Sequence, residues 1–328
     1  RPPRSTLFPY TTLFRSQTYF SAATTNARNI LPNSGYNRYN FTFRDVTKFL
    51  KDKLTVDLSA SYILQDNKNM IAAGKYFNPL PALYLFPRGD DFDNVRLYQR
   101  WDESRNLYTQ AWDYGSGDMS FQNPYWIMNK MINQTKKRRY MLSANLKYDV
   151  TDWLDVTGRV KVDNADMDIT EKRYAGTDTN FAGEKGMYSI IKRNDRQIYA
   201  DAIANIDLTF AGDYHLSANV GASLKDVRMD FMGWGGDLRK IPNFFSITNI
   251  STTNYKERED GSHIQSQSIF ANVELAWKSM LYLTVTGRND WESALAFSKY
   301  KSFFYPSVGL SAVVSEMVDM PEWFSFLK

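Results

Sequence analysis

Cysteine is absent from the 328 residues, so neither a disulfide framework nor a thiolate metal site is available. Histidine is scarce: His215 and His263 lie far apart in sequence, and no zinc or catalytic arrangement follows from them. No apolar run approaches the ~20 residues of a transmembrane helix, which leaves strands as the only route by which such a chain crosses a bilayer. Charge of one sign is lacking too. The 40 Lys+Arg against 36 Asp+Glu leave a net +4, too small and too dispersed to argue for nucleic acid. The single basic run, Lys136-Lys-Arg-Arg139, reads as a solvated strand entrance. What is abundant is the aromatic ring: 21 Tyr, 21 Phe and 8 Trp in a chain whose mean hydropathy is still negative, at -0.48.

The clearest local pattern is a pair of alternating strands around a tight turn at residues 149–153. In the first, Leu142, Ala144 and Leu146 share one face while Ser143, Asn145 and Lys147 share the other. In the second, Leu154, Val156, Val160 and Val162 oppose Asp155, Thr157, Arg159 and Lys161. Side chains alternate across a strand, so one face suits an apolar medium and the other needs water. Such strands suit the wall of a water-filled membrane barrel. Similar rows recur, among them Leu54 to Ala60, Ile198 to Leu208, Leu216 to Leu224, Ile269 to Leu275, Leu281 to Val285 and Phe304 to Val314. With the less regular 36–49 and 17–24 they make about ten strands of ~9 to 13 residues, long enough to cross a bilayer at a tilt. Register is fixed by charge. A slip of one residue turns Arg159 and Lys161 toward lipid, at roughly 2 to 4 kcal/mol each near the midplane.

The connections are unequal. Short ones sit near 50–53, 151–153, 211–214 and 278–280, while long polar stretches run over 65–135, 164–195, 226–263 and 290–302. Short turns on one side and long loops on the other fit a barrel with periplasmic turns and extracellular loops. Phe49, Tyr148, Trp153, Phe210, Tyr214, Trp277 and Tyr282 flank the short turns and read as an interfacial aromatic girdle. The expected fold class is therefore all-β, a partial antiparallel transmembrane barrel.

Residues 1–16 contain Thr6-Leu-Phe-Pro-Tyr-Thr-Thr-Leu-Phe-Arg-Ser16, which resembles the translation of a sequencing-library adapter. They are set aside as non-native, and residues 17–328 are read as part of a barrel domain that is continued elsewhere in a longer chain.

From Ser16 onward the chain resembles the SusC/RagA-type branch of the TonB-dependent outer-membrane transporters. The resemblance is carried in order by Pro32-Asn-Ser-Gly-Tyr-Asn-Arg-Tyr-Asn-Phe-Thr-Phe-Arg44, Asn78-Pro-Leu80, Gln122-Asn-Pro-Tyr-Trp126, Ile241-Pro-Asn243, Thr284-Val-Thr-Gly-Arg-Asn-Asp-Trp291 and Ser302-Phe-Phe-Tyr-Pro-Ser-Val-Gly-Leu-Ser311. It implies a 22-stranded barrel with an amino-terminal plug, importing oligosaccharides or peptides with energy from TonB. A SusD-like surface lipoprotein is the implied partner, together with the TonB complex and outer-membrane lipid, and the implied location is the bacterial outer membrane. On that reading the chain holds about ten strands and lacks the plug. A soluble or surface-exposed β-rich adhesion module is the alternative.

Candidate binding residues come from the aromatic-rich stretch after Gln65. Trp101, Trp112, Tyr125 and Trp126 offer ring faces for stacking on sugars or docking a partner, against the alternative that they pack a folded loop. Lumen-facing charges are assigned to Asp57, Arg159, Lys161, Asp201 and Arg288, as plug contacts or as tuners of passage. Asp90, Asp91 and Asp93 lack EF-hand spacing and read as a solvated acidic turn. Gly233-Trp-Gly-Gly236 reads as an extracellular turn. No catalytic residue, metal ligand or cofactor is assigned.

Overall fold

The computed structural model describes residues 16–72, 74–114 and 121–318. Residues 1–15, and with them nearly all of the adapter-like segment, lie outside the described residues. So do residues 73, 115–120 and 319–328.

Ten strands form one antiparallel sheet in the order β1-β2-β3-β6-β7-β8-β9-β10-β11-β12. Their bounds are β1 Ser16–Arg28, β2 Gly35–Phe49, β3 Leu54–Lys68, β6 Met131–Thr151, β7 Leu154–Tyr174, β8 Gly186–Phe210, β9 Tyr214–Leu238, β10 Ile250–Trp277, β11 Leu281–Glu292 and β12 Ser302–Ala312. Every neighbour in the sheet is also next along the chain except at one place. Between β3 and β6 the chain leaves the sheet to build α1 Pro79–Tyr84, α2 Asp93–Arg96, the hairpin β4 Gln99–Asp102 with β5 Leu107–Gln110, and α3 Pro124–Lys130. The meander is the connectivity of an up-and-down barrel, present here as an open arc.

Register carries the alternation from strand to strand. Phe43, Ala60, Leu142, Val162 and Ile198 form one continuous outward row across β2, β3, β6, β7 and β8. Val273, Val285 and Val308 continue the apolar surface on β10, β11 and β12. These side chains are exposed or partly exposed, Leu142 at 46% and Val308 at 72%, and among the described residues no second layer covers them. Large apolar surface left uncovered on this scale needs a non-aqueous neighbour.

The upper limit of the apolar surface is slanted. The unbroken outward apolar run ends at Tyr39 on β2, Leu64 on β3, Tyr140 on β6, Val162 on β7, Ile198 on β8, Leu224 on β9 and Ile269 on β10. The register row through Tyr39 meets β10 at Gly261, so the limit has descended eight residues by Ile269. At ~3.4 Å per residue and ~4.8 Å between strands, that slope corresponds to strands tilted by about 43°. Membrane barrels tilt by about 35–45°.

Four expectations change. The strands reach 21, 21, 25, 25 and 28 residues in β6 to β10, far beyond the ~9 to 13 read from apolar alternation. Above the apolar surface polar residues enter the outward face, so the strict alternation stops while the backbone pairing continues. The stretches 164–195 and 226–263 are therefore mostly strand, and their true loops are residues 175–185 and 239–249. Gly233 to Gly236 lies inside β9 and is no turn. A Cβ at Gly233 would sit 2.8 Å from Ile191 Cγ1, and one at Gly235 would sit 2.8 Å from Ser189 Oγ, so the glycines admit the side chains of β8. Lys136 to Arg139 likewise falls within β6, not at its entrance.

At the lower end the aromatic ring stands, with Phe210 and Tyr214 stacked at 5.6 Å across their turn and Phe49, Tyr148 and Trp277 outward. Tyr282 departs from it: Leu281 and Leu283 point outward, and alternation puts Tyr282 on the opposite face.

Candidate functional site

The inner face carries a polar row at one height. Asp57, Asn145, Arg159, Asp201, Ser223, Ser268 and Asp290 are register partners in succession across seven strands. Arg159 donates to Asp201 from Nε at 2.8 Å and from Nη2 at 2.6 Å, and the Asp201 side chain has no exposed surface. Arg44 makes the same fork on Asp57, at 2.9 and 2.8 Å. Asn145 Nδ2 also donates to Asp57, at 3.3 Å. At the other end Arg288 donates to Ser268 Oγ at 3.0 Å and to Asp290 at 2.8 Å. Lys161 stands one step above, paired in register with Ser143 and Tyr199. The sequence-assigned Asp57, Arg159, Asp201 and Arg288 are thus parts of one belt. Alternation singled them out one strand at a time, but their neighbours Arg44 and Asn145 need the cross-strand register, which no single strand discloses. Forked guanidinium–carboxylate pairs fix both partners in orientation.

Above the sheet, the excursion between β3 and β6 has a small core of its own. Trp126, Ile127, Met128 and Met131 are buried, with Leu31, Phe77, Tyr98 and Tyr174 against them. Asn123 organises it. Its Nδ2 donates to the carbonyls of Val95 at 2.8 Å and Ala111 at 3.1 Å, while its Oδ1 accepts from the N–H of Tyr125 and Trp126 at the start of α3. Pro124 follows at the first helical position, where its missing N–H costs nothing. Asn69 does a similar task at the root, donating to the carbonyls of Asn33 and Met128 and accepting from Asn133 N–H at 2.9 Å. On the far loop Asn249 donates to the carbonyls of Ile241 and Phe244, both at 2.8 Å. Asn33, Asn123 and Asn243 belong to motifs noted in the sequence, and each clamps loop backbone.

The four candidate aromatics do not meet. Trp101 pairs with Tyr108 across β4–β5, rings 5.1 Å apart and edge-on, both about half exposed. Trp112 packs against Tyr114 at 5.1 Å, with its indole N–H buried and without an acceptor. Tyr125 is partly exposed on α3. Trp126 has no exposed surface and donates from Nε1 to Thr177 Oγ1 at 3.0 Å, so it packs the loop and offers no face to a ligand. Asp91 caps a local turn through Asp93 N–H, and Asp93 pairs with Arg96 at 3.0 Å, as a solvated acidic turn does. Asp102 accepts from Ser104 Oγ at 2.6 Å and from the N–H of Ser104 and Arg105, which holds its carboxyl below the usual carboxylate range.

No protein-family model matches the chain. TonB-dependent receptor P26 of Formosa agariphila is 23% identical over 299 residues, 89% of this chain. The chain spans 28% of that relative's length. Among solved structures, the RagAB peptide importer in its open-open state gives a TM-score of 0.68 at 14% identity, over 92% of this chain and 32% of its own. The ferric-catecholate receptor Fiu of E. coli K12 in its closed form gives 0.51 at 11%, over 91% and 43%. The siderophore receptor PiuA of Acinetobacter baumannii gives 0.50 at 12%, over 91% and 42%. The shared element is a run of antiparallel barrel wall.

Proposed function

We propose that this chain, a stretch of outer-membrane barrel from a TonB-dependent receptor, serves a SusC/RagA-type importer of large nutrients, peptides or oligosaccharides, driven through TonB. The single observation that carries the reading is the slanted apolar surface set against a continuous polar row inside. Oil outside and fixed charge within are what a conduit for hydrophilic cargo requires. The likeness to a peptide importer supports peptides as cargo, and the aromatic loop leaves oligosaccharides open as the other. Residues 17–328 are barrel wall in this reading, with the plug and the remaining strands supplied elsewhere in the parent protein.

The loop excursion above the sheet is the surface we assign to cargo and to a SusD-like surface lipoprotein. Trp101, Trp112 and Tyr125 remain its candidates, and Tyr108 joins them through its contact with Trp101. Asp57, Arg159, Lys161, Asp201 and Arg288 face the lumen and contact the plug. The adhesion-module alternative calls for a second layer over the outward apolar rows, and the described residues supply none.

The test is uptake by cells carrying the full-length parent, with and without TonB, using labelled oligopeptides and oligosaccharides in parallel. Uptake of one class that stops without TonB supports the proposal. Uptake unaffected by TonB, or release of the protein from the membrane by a salt wash, rules it out.

A further inference from the structure

The wall is notched beside the upper half of β10. That strand runs for 28 residues, and β9 pairs with it without a break from Trp277 up to Tyr255. On its other side β11 pairs only with Ser266–Trp277 and then leaves through a turn over Ser293–Leu295. Residues 256–265 are exposed throughout. Successive residues of an antiparallel strand turn their N–H and C=O to alternate neighbours. Gln265 N–H donates to Ser293 Oγ at 2.9 Å on the β11 side, so Glu257, Glu259, Gly261 and His263 present their backbone to the same open edge. Gly261 N–H donates to Asp260 Oδ1 at 2.7 Å. A hydroxyl and a carboxylate thus stand where the carbonyls of a further strand would be.

An open edge is a template for pairing, and proteins commonly block one with proline, a bulge or lysines. No proline falls within 256–265, the register with β9 is regular there, and the charges are of both signs. Glu257 and Glu259 lie on the outward face, as Ile269 does, while Lys256 and Arg258 lie on the inward one. None of the four makes an ion pair among the described residues. A strand seated on this edge meets charges already sorted by face, so its own have to be sorted in reverse, basic outward and acidic inward. Cargo passes through the lumen, whereas these backbone groups point along the wall. What they hold is a fixed part of the rim.

We propose that the open edge of β10 docks an extended segment of the surface lipoprotein by strand addition, with Lys or Arg facing Glu257 and Glu259 and with Asp or Glu facing Lys256 and Arg258. Main-chain hydrogen bonds supply the hold, and the two charged rows set register and face. The site rests on the reading of the chain as one partner of a two-protein importer.

The experiment uses the full-length transporter with its lipoprotein, and as competitor a blocked peptide whose central four residues alternate Lys and Glu. Forming the complex slows amide exchange at Glu257, Glu259 and His263 and leaves Arg258 and Ser262, which already face β9, unchanged. The peptide displaces the lipoprotein, and the same peptide N-methylated at alternate residues does not. Glu259→Pro removes one edge donor and weakens capture about fivefold. Where that proline stops assembly, Glu257→Lys with Glu259→Lys keeps every donor and weakens capture through charge. Capture by this double variant equal to wild type, or a complex in which the edge still exchanges freely, overturns the site alone. Import of the peptide without displacement of the lipoprotein gives the edge to cargo and overturns its assignment to a partner. Absence of any complex in wild type overturns the two-protein reading and the site with it.

Discussion

Arg159 on β7 and Asp201 on β8 are register partners joined by a two-pronged hydrogen bond, and Asp201 has no exposed side-chain surface. Replacing Asp201 by Ala strands a guanidinium on the inner face and lowers the unfolding free energy of the full-length barrel by about 1–3 kcal/mol. Because both residues act through one contact, Arg159→Ala with Asp201→Ala costs less than the sum of the singles. Urea titration in detergent measures both, and strict additivity is the result that dissolves the pair.

Faces can be tested by neighbours. Leu142→Arg presents a charge to lipid and costs about 2–4 kcal/mol, whereas Ser143→Arg points inward and is tolerated. Assembly of each full-length variant in the outer membrane, followed by heat-modifiability on gels, compares them. Equal defects contradict the assigned alternation.

Trp126 holds the loop core. Trp126→Ala empties a fully buried site and costs that subdomain about 3–5 kcal/mol, while the sheet below it stays folded. Limited proteolysis reads this as new cleavage between residues 69 and 130 with the remaining barrel fragments protected.

Trp101 behaves in the opposite sense. It is half exposed on a hairpin, so Trp101→Ala shifts stability by no more than about 0.5 kcal/mol. Uptake or lipoprotein capture nevertheless falls, and unchanged values for both with normal expression remove Trp101 from the proposed surface.

Acid should loosen the same hairpin. The Asp102 carboxylate is stabilised first by the Ser104 hydroxyl and then by backbone N–H groups, so its folded pKa lies below its unfolded value. The stabilisation is complete above the unfolded value of about 3.9 and is lost as pH falls through the folded one. Hydrogen exchange at Ser104 and Arg105, followed through that acid range, rises in wild type. A profile identical in Asp102→Ala says the carboxylate holds nothing.

The ten strands were legible because lipid imposes a strict two-residue period, and Leu142, Ala144 and Leu146 obey it. The upper strands were not. Where water lies on both sides, residues such as Asp166, Asp168 and Lys192 satisfy a strand as readily as a loop, and only pairing along the backbone decides. The inner charges were found singly at Asp57, Arg159 and Asp201, but their union in one row depends on six registers that no local window contains. Trp126 misled for a related reason. An aromatic in a polar stretch reads as a contact surface, and the Asn123 clamp that turns it inward is made of partners 12 and 28 residues away.

The long upper strands have an immunological corollary. In the proposed orientation, the part of β8, β9 and β10 beyond the apolar surface projects from the cell as hydrogen-bonded sheet with side chains interleaved from neighbouring strands. An antibody or a phage approaching the cell meets a surface composed from several segments at once. Short linear peptides copied from residues 186–238 should therefore raise sera that ignore the intact cell, and a vaccine against this region has to present the folded ribbons together.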